Sequence, residues 1–185
     1  MLQIKPVEET EAGGEIAELY GEIQRGLGIP FVPNIDKMLA HAPNALRGSW
    51  AAFDQIFLNS SLPPSLSLMI LYTVSAANDC RYCEPLFKAS CMSAGIDRDT
   101  LAALERDLDG LSPVRVQAIV KLAQKCARDR ESLSEADFDN VRAQGVTEQE
   151  IVEIIALSAL GNFLNTVADS LKLELDDAIA QALAT

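Results

Sequence analysis

The stretch LSLMILYTVSAANDCRYC, residues 66–83, decides how this chain folds. Its first part, Leu66 to Ala77, is apolar on nearly every side, which is typical of a helix that is buried all round. The apolar part is about half as long as a membrane span, so we predict a helix inside a protein core and no membrane insertion. Two cysteines, Cys80 and Cys83, follow directly after it.

Helical patterns recur on both sides of this stretch. Pro63-Pro64 ends one helix and begins the next, because proline suits the first helical turn. The other predicted helices cover residues 14–27, 43–59, 112–129 and 148–171, with a short last one beginning at Asp176 or Asp177. No Asn-Gly or Asp-Gly turn with alternating flanks predicts a hairpin. We therefore predict an all-α fold in a single domain, residues 1–185.

Local signals mark three helix starts in the second half of the chain. Ser112-Pro113 reads as an N-cap followed by proline at the first helical position. Ser132 with Glu135, and Thr147 with Glu150, match capping boxes. A short internal similarity, TVSAAN at 73–78 and ALSALG at 156–161, is compatible with two duplicated halves.

Composition excludes several classes of protein. The 185 residues carry 27 acidic and 15 basic side chains, a formal net charge of −12, which argues against nucleic-acid binding. The first 15 residues contain no apolar core or cleavage site of a secretory signal, so we predict a cytoplasmic location. In a reducing compartment, a close pair of cysteines indicates redox or metal chemistry and not a structural disulfide.

The spacing of Cys80 and Cys83 suits reversible disulfide chemistry. On a helix, residues i and i+3 have Cβ atoms about 5–6 Å apart, and a small adjustment reaches disulfide range. Asn78 or Asp79 is a suitable N-cap, so we predict that both cysteines lie in the first turn of a new helix. Helix N–H groups there, and the charge of Arg81, would stabilise a thiolate, the form that attacks peroxides and disulfides.

The cysteine pair allows two other interpretations. Cysteine is often buried, so the pair could be simple core packing. A structural zinc site needs about four ligands, and Cys91 lies about 12 Å along a helix from Cys83. We therefore predict no metal and no cofactor, and we expect Cys91 and Cys126 to be small buried hydrophobic residues.

Residues 66–95 resemble the core motif of the alkylhydroperoxidase D-like superfamily, which includes the carboxymuconolactone decarboxylases. That motif is an apolar helix, an Asn/Asp step, Cys-x-x-Cys, and a helix ending in Ala-Gly-Ile, here at 94–96. The flanking segments VPN at 32–34, LAHAP at 39–43 and NFLNTVADSL at 162–171 are similar to the peroxidase-related branch. The likeness covers residues 28–177.

The resemblance implies a helical bundle that forms homo-oligomers and reduces hydroperoxides. It implies that Cys83 meets the peroxide, that Cys80 resolves the resulting sulfenic acid as a disulfide, and that a dithiol electron donor regenerates the pair. Relatives carry a Glu and a His for proton transfer at positions that are Leu68 and Phe87 here.

Other side chains could replace that proton relay. His41, the only histidine, is one candidate because imidazole is the usual acid–base group near neutral pH. Tyr72, two turns before Cys80, and Tyr82, between the cysteines, are the others.

The sequence is compatible with three functions. The first is the peroxidase. The second is a disulfide-exchange or redox-sensing protein without peroxide turnover. The third is a non-catalytic helical oligomer with buried cysteines. The apolar surplus of residues 66–77 and 154–160 predicts self-association in each case, whereas lactone decarboxylation has little support from the residues present.

Overall fold

A computed structural model describes residues 4–184, which form ten α-helices and no strand. The helices are α1 (Glu15–Leu27), α2 (Asn34–Leu39), α3 (Pro43–Phe53), α4 (Pro64–Ala77), α5 (Cys83–Ser93), α6 (Arg98–Arg106), α7 (Val114–Arg128), α8 (Glu135–Ala143), α9 (Glu148–Ser170) and α10 (Asp177–Leu183). The all-α prediction is confirmed. The two ends of the predicted domain, residues 1–3 and Thr185, lie outside the described residues.

Helix α4 is the centre of the bundle. It packs against α5, α7 and α9, and Ile70, Leu71 and Val74 are 0% exposed. Three neighbouring helices cover its faces, which explains why its sequence has no polar side. By length and composition alone α9 could cross a membrane, but half of its apolar window is buried in the bundle, as in a core helix.

Most predicted helix boundaries are confirmed. α3 continues as a π-helical segment, Asp54–Leu58, so the predicted helix over 43–59 is one nearly continuous element. The capping box of Thr147 and Glu150 opens α9 as expected. Helix α10 begins after Asp176.

Two predicted helix starts are wrong in detail. Pro113 is the N-cap of α7 and not its first helical residue. Ser132 does not form a capping box, because it lies in a 3₁₀ turn and its hydroxyl donates to the backbone oxygen of Asp129. The capping box of α8 is made two residues later by Ser134 and Asp137.

Gly161 is the point of closest approach between α4 and α9. A Cβ atom at Gly161 would lie 2.8 Å from Cγ1 of Val74, closer than real side chains come. The absence of a side chain therefore sets the spacing of the two central helices. The two similar segments, 73–78 and 156–161, meet at this contact, and duplication of the halves stays a prediction.

Candidate active site

The two cysteines lie where the chain passes from α4 to α5. Asn78 is the C-cap of α4, and Asp79 has φ 53, the left-handed conformation that turns the chain. The prediction that Asn78 or Asp79 caps the next helix is therefore wrong. Cys83 begins α5 but Cys80 precedes it, so the prediction that both cysteines lie in its first turn is also wrong. The Sγ of Cys80 accepts a hydrogen bond from the Cys83 backbone N–H over 3.3 Å. The sulfur of Cys80 thus takes the place of an N-cap side chain.

The two cysteines are buried, and each shifts the pKa of the other. Cys80 is 0% exposed and Cys83 is 2% exposed. A hydrogen bond with Cys83 lowers the pKa of Cys80, and the backbone N–H groups of Cys83 and Tyr82 act in the same direction. The hydrogen bond with Cys80, followed by burial, raises the pKa of Cys83. Negative charge is therefore favoured on Cys80, while Cys83 keeps the proton.

An asparagine cluster from the NFLN segment of α9 reaches the cysteines. Asn78 Nδ2 donates to Oδ1 of Asn162 over 2.7 Å and to Oδ1 of Asn165 over 2.8 Å. Asn165 Nδ2 donates to Oγ of Ser75 over 3.0 Å. A hydrogen bond from Asn165 to Cys83 opposes the rise in the pKa of that thiol, because it favours the thiolate.

Cys83 lies on the wall of a cavity of about 380 Å³, and Cys80 lies behind it, off the wall. The cavity is bounded by the end of α1, α2 and the segment between them, α3 and its π-helical continuation, α4, α5, α9 and α10. Its wall is mainly apolar, with five aromatic residues in addition to Tyr82: Phe31, Trp50, Phe53, Phe57 and Phe87. Such a site suits an apolar organic molecule.

Two of the three predicted proton donors lie away from this cavity. His41 is exposed, and its Nε2 is 2.7 Å from the backbone oxygen of Lys5. Tyr72 is fully buried in α4, and its hydroxyl donates to Oε1 of Glu105 over 2.7 Å. Neither side chain lines the cavity.

Tyr82 is the one predicted donor that shares the cavity with Cys83. Its hydroxyl donates to Oδ2 of Asp176 over 2.7 Å and accepts a hydrogen bond from the backbone N–H of Ile35 over 3.4 Å. Burial and the charge of Asp176 raise the pKa of Tyr82. The hydroxyl proton is therefore held firmly on the oxygen and directed to Asp176.

Sequence reasoning missed Asp36, a buried acid on the cavity wall. Asp36 is 9% exposed, and among residues 4–184 no side chain or backbone group donates a hydrogen bond to its carboxylate. Burial, followed by the charge of Asp176, raises the pKa of Asp36 to about 7. The signal in the sequence was an acidic residue set among the apolar residues of VPNIDKML, 32–39, all but two of which are buried.

The other two cysteines match their predicted role. Cys91 is 0% exposed and Cys126 is 8% exposed, as predicted for small buried hydrophobic residues. Burial raises the pKa of Cys91 to about 12 and also raises that of Cys126. Within the described part of the chain, no group of three or more His, Cys, Asp or Glu side chains could hold a metal ion.

Comparisons with known proteins agree with this architecture. The model of the carboxymuconolactone decarboxylase family matches residues 40–125. The alkyl hydroperoxide reductase Rv2159c of Mycobacterium tuberculosis is 30% identical over 110 residues, which is 60% of this chain. The match covers 30% of the length of that relative.

Solved structures share the whole fold. The alkylhydroperoxidase AhpD core of a peroxidase-related protein from Ralstonia eutropha JMP134 superposes with a TM-score of 0.85 and 26% identity, over 96% of this chain and 94% of the other. The chain belongs to the alkylhydroperoxidase D-like superfamily. A peroxidase-related protein from Silicibacter sp. TM1040 superposes with a TM-score of 0.80 and 24% identity, over 89% of this chain and 86% of the other.

A third neighbour with this fold is an enzyme of another kind. The debrominase Bmp8, solved as an alanine variant in complex with 2,3,4-tribromopyrrole, has a TM-score of 0.84 at 19% identity, over 100% of this chain and 97% of the other. The alkylhydroperoxidase D-like fold therefore accommodates more than one reaction.

This chain departs from the alkylhydroperoxidase D-like pattern at two positions on the cavity wall. Leu68 and Phe87, which stand where peroxidase members carry Glu and His, both line the wall that holds Cys83. Phe87 is 3% exposed. Hydrocarbon therefore lines the cavity at the two positions where the resemblance implies acid–base groups.

Proposed function

We propose that this protein is a cytoplasmic thiol-dependent oxidoreductase that reduces organic hydroperoxides through Cys80 and Cys83. One observation carries the proposal: the Cys83 thiol lies on an apolar cavity, with Cys80 directly behind it and hydrogen-bonded to the same turn. A substrate in the cavity would meet Cys83 first, and Cys80 is placed to resolve it.

The distribution of charge in the pair supports a definite sequence of steps. Cys83 attacks the terminal oxygen of the hydroperoxide while the Cys80 thiolate takes its proton. The O–O bond breaks, the alkoxide leaves as an alcohol after gaining a proton, and Cys83 becomes a sulfenic acid. Cys80 then attacks the Cys83 sulfur, water leaves, and a disulfide forms. An external dithiol donates two electrons and two protons to reopen it.

The cavity favours a bulky substrate. Its volume of about 380 Å³ falls within the range of small-molecule sites, and its mainly apolar wall favours molecules that bury apolar surface on binding. Hydrogen peroxide has no such surface. We therefore expect aromatic and long-chain alkyl hydroperoxides to react faster than hydrogen peroxide.

Stopped-flow oxidation with cumene hydroperoxide tests the proposal. Wild type should oxidise to a Cys80–Cys83 disulfide. Cys80→Ser should stop at one equivalent of sulfenic acid, trapped by dimedone, and Cys83→Ser should react no faster than free cysteine. Cys91→Ser, which alters a buried cysteine elsewhere, is the matched control and should behave as wild type. Equal, slow oxidation of all four proteins would exclude the peroxidase.

The fold of Bmp8 and the aromatic wall of the cavity favour a second candidate, thiol-dependent dehalogenation of an aromatic ring. In that reaction the dithiol loses two electrons, a C–H bond replaces the carbon–halogen bond, and the halide leaves with a proton. The assay is release of bromide from 2,3,4-tribromopyrrole by the reduced protein. Disulfide formation without bromide release would exclude it.

The hydrocarbon at Leu68 and Phe87 favours a third candidate, disulfide exchange without peroxide turnover. Disulfide exchange does not expel an alkoxide that needs a proton, so loss of the acid–base pair would slow it little. Fast exchange with dithiothreitol, a defined reduction potential, and no consumption of hydroperoxide together would support this candidate over the peroxidase. Thiols that react only after denaturant is added would instead indicate non-catalytic, buried cysteines.

A further inference from the structure

We propose that Asp36 is the general acid of this site, delivering a proton to the oxygen that leaves when Cys83 attacks a hydroperoxide. The inference rests on the proposed peroxidase function, in which Asp36 takes the proton-transfer role of the absent Glu and His. Asp36 of α2 and Cys83 of α5 line one cavity, so a substrate that extends across the cavity would contact both.

The hydrogen bonds around the two neighbouring carboxylates distinguish their roles. Asp176 is 5% exposed, and both of its oxygens are engaged: Oδ1 accepts from the backbone N–H of Asn34 over 2.9 Å and Oδ2 accepts from the Tyr82 hydroxyl. Asp36 has no such partner among the described residues. A buried carboxyl group without a partner is costly unless it is neutral or meets a ligand. Asp176 therefore has a structural role, and Asp36 is the one open to a substrate.

The surroundings of Asp36 keep a proton on it. Asp176 faces it from the segment before α10, Tyr82 from the cysteine loop, Tyr20 from α1, and Cys83 shares the cavity from α5. None of these four groups is a cation. With a pKa raised to about 7 by burial and by Asp176, Asp36 is protonated in about half of the molecules at neutral pH. A group with a pKa near the working pH is well suited to acid catalysis.

The step balances without another reactant. The Cys83 sulfur forms a bond to the terminal oxygen of ROOH, the O–O bond breaks, and its electron pair goes to the inner oxygen. Asp36 gives that oxygen its proton, so ROH leaves and Asp36 becomes a carboxylate. Cys80 has meanwhile taken the proton of Cys83. This proton leaves in the water molecule that is released when the disulfide forms. Asp36 regains a proton from solvent before the next cycle.

A comparison of two oxidants tests this role. Cumene hydroperoxide expels a strongly basic alkoxide that needs a proton, whereas 4,4′-dithiodipyridine expels a far less basic thiolate. Trp50, the only tryptophan, lies on the cavity wall and provides a fluorescence signal for both reactions. The variants are Asp36→Asn, Asp36→Glu and, as a control, Asp99→Asn, the same change at an exposed acid of α6 that does not line the cavity.

The expected result is selective. Asp36→Asn should slow oxidation by cumene hydroperoxide by about 100-fold at pH 6 and leave the reaction with the disulfide within about twofold of wild type. In wild type the peroxide rate should fall as the pH rises through about 7, because Asp36 loses its proton; Asp36→Asn should lack this falling limb. Asp36→Glu should restore part of the rate and part of the fall with pH, and Asp99→Asn should match wild type in both.

Three outcomes would overturn the inference. If Asp36→Asn slows both oxidants equally, Asp36 only supports the cavity or the thiols. If it slows neither while wild type reduces hydroperoxide, the general acid is elsewhere and the peroxidase function stands. If wild type reacts with the disulfide but not with hydroperoxide, the proposed function and the inference fail together.

Discussion

The backbone N–H of Cys83 donates a hydrogen bond to the Sγ of Cys80 over 3.3 Å. The sulfur that we propose as the resolving thiol therefore also caps the first turn of helix α5. This dual role joins the redox chemistry to local stability, since any change at Cys80 alters both the thiol pair and the first turn of the helix that carries Cys83.

The capping role predicts different effects for two substitutions at Cys80. A serine hydroxyl can accept the Cys83 N–H, but an alanine side chain cannot. Cys80→Ala should therefore lower the free energy of unfolding by about 1 kcal/mol more than Cys80→Ser does. Urea denaturation of the reduced proteins measures the difference, with Cys91→Ser and Cys91→Ala as the control pair away from the cap. Equal stabilities of the two Cys80 variants would refute the capping role.

Asp36→Asn should change how stability depends on pH. The pKa of Asp36 rises from 3.8 unfolded to about 7 folded, so between these values the folded state holds a proton that the unfolded state releases. Its contribution to stability is thus fully present below about pH 4 and is lost as the pH rises to about 7, a total of about 4 kcal/mol. Urea unfolding from pH 4 to 8 should show this loss in wild type relative to Asp36→Asn, and parallel curves would contradict it.

The same variant should separate stability from activity. Above pH 7, Asp36→Asn removes a buried negative charge beside Asp176, although its amide still lacks a partner, so we expect it to be more stable than wild type by about 1–3 kcal/mol. A variant that is more stable yet slower toward hydroperoxide cannot owe its slowness to misfolding.

Restoring the acid–base pair of the superfamily should raise the rate with hydroperoxide. The double variant Leu68→Glu, Phe87→His places both groups on the wall that holds Cys83. We expect a gain of about tenfold or more toward cumene hydroperoxide, at a cost in stability because Phe87 is buried. Leu68→Gln, Phe87→Leu is the control without titratable groups. A folded double variant that is no faster than wild type would show that the wall positions do not govern proton transfer here.

A stripe of apolar residues on α9 is the surface where we predict self-association. Val152, Ile155 and Phe163 are 65%, 38% and 43% exposed, and they share one side of the helix. Wild type should run as an oligomer in light scattering at micromolar concentration, and Val152→Glu, Phe163→Glu should shift it toward monomer. Val114→Glu, at an exposed apolar residue on α7, is the control. A monomeric wild type would exclude the oligomer.

The sequence predicted what depends on local pattern. The all-round apolar character of residues 66–77 identified the central helix, and the spacing of Cys80 and Cys83 identified the thiol pair. The turn at Asp79 could not be predicted, because an Asn-Asp step fits equally well at the end of one helix and at the start of the next.

Asp36 was missed for a different reason. Its position in the cavity depends on α2 packing near residues 82–83 and 176, which are far away in the chain, and no local periodicity records such a contact. The same holds for Leu68 and Phe87: the resemblance identified the positions, but only the folded chain shows that both line the cavity beside Cys83.

Gly161 has a consequence for the thiols that lies beyond packing. It sets how near α9 comes to α4, and the asparagines that reach Cys83 and the end of α4 lie within little more than a turn of it on α9. An added methyl group would separate the helices by a few tenths of an ångström, and Asn165 would withdraw from the Cys83 sulfur. We therefore expect a substitution at Gly161, which touches neither sulfur atom, to shift the redox potential of the pair through the width of an interhelical gap.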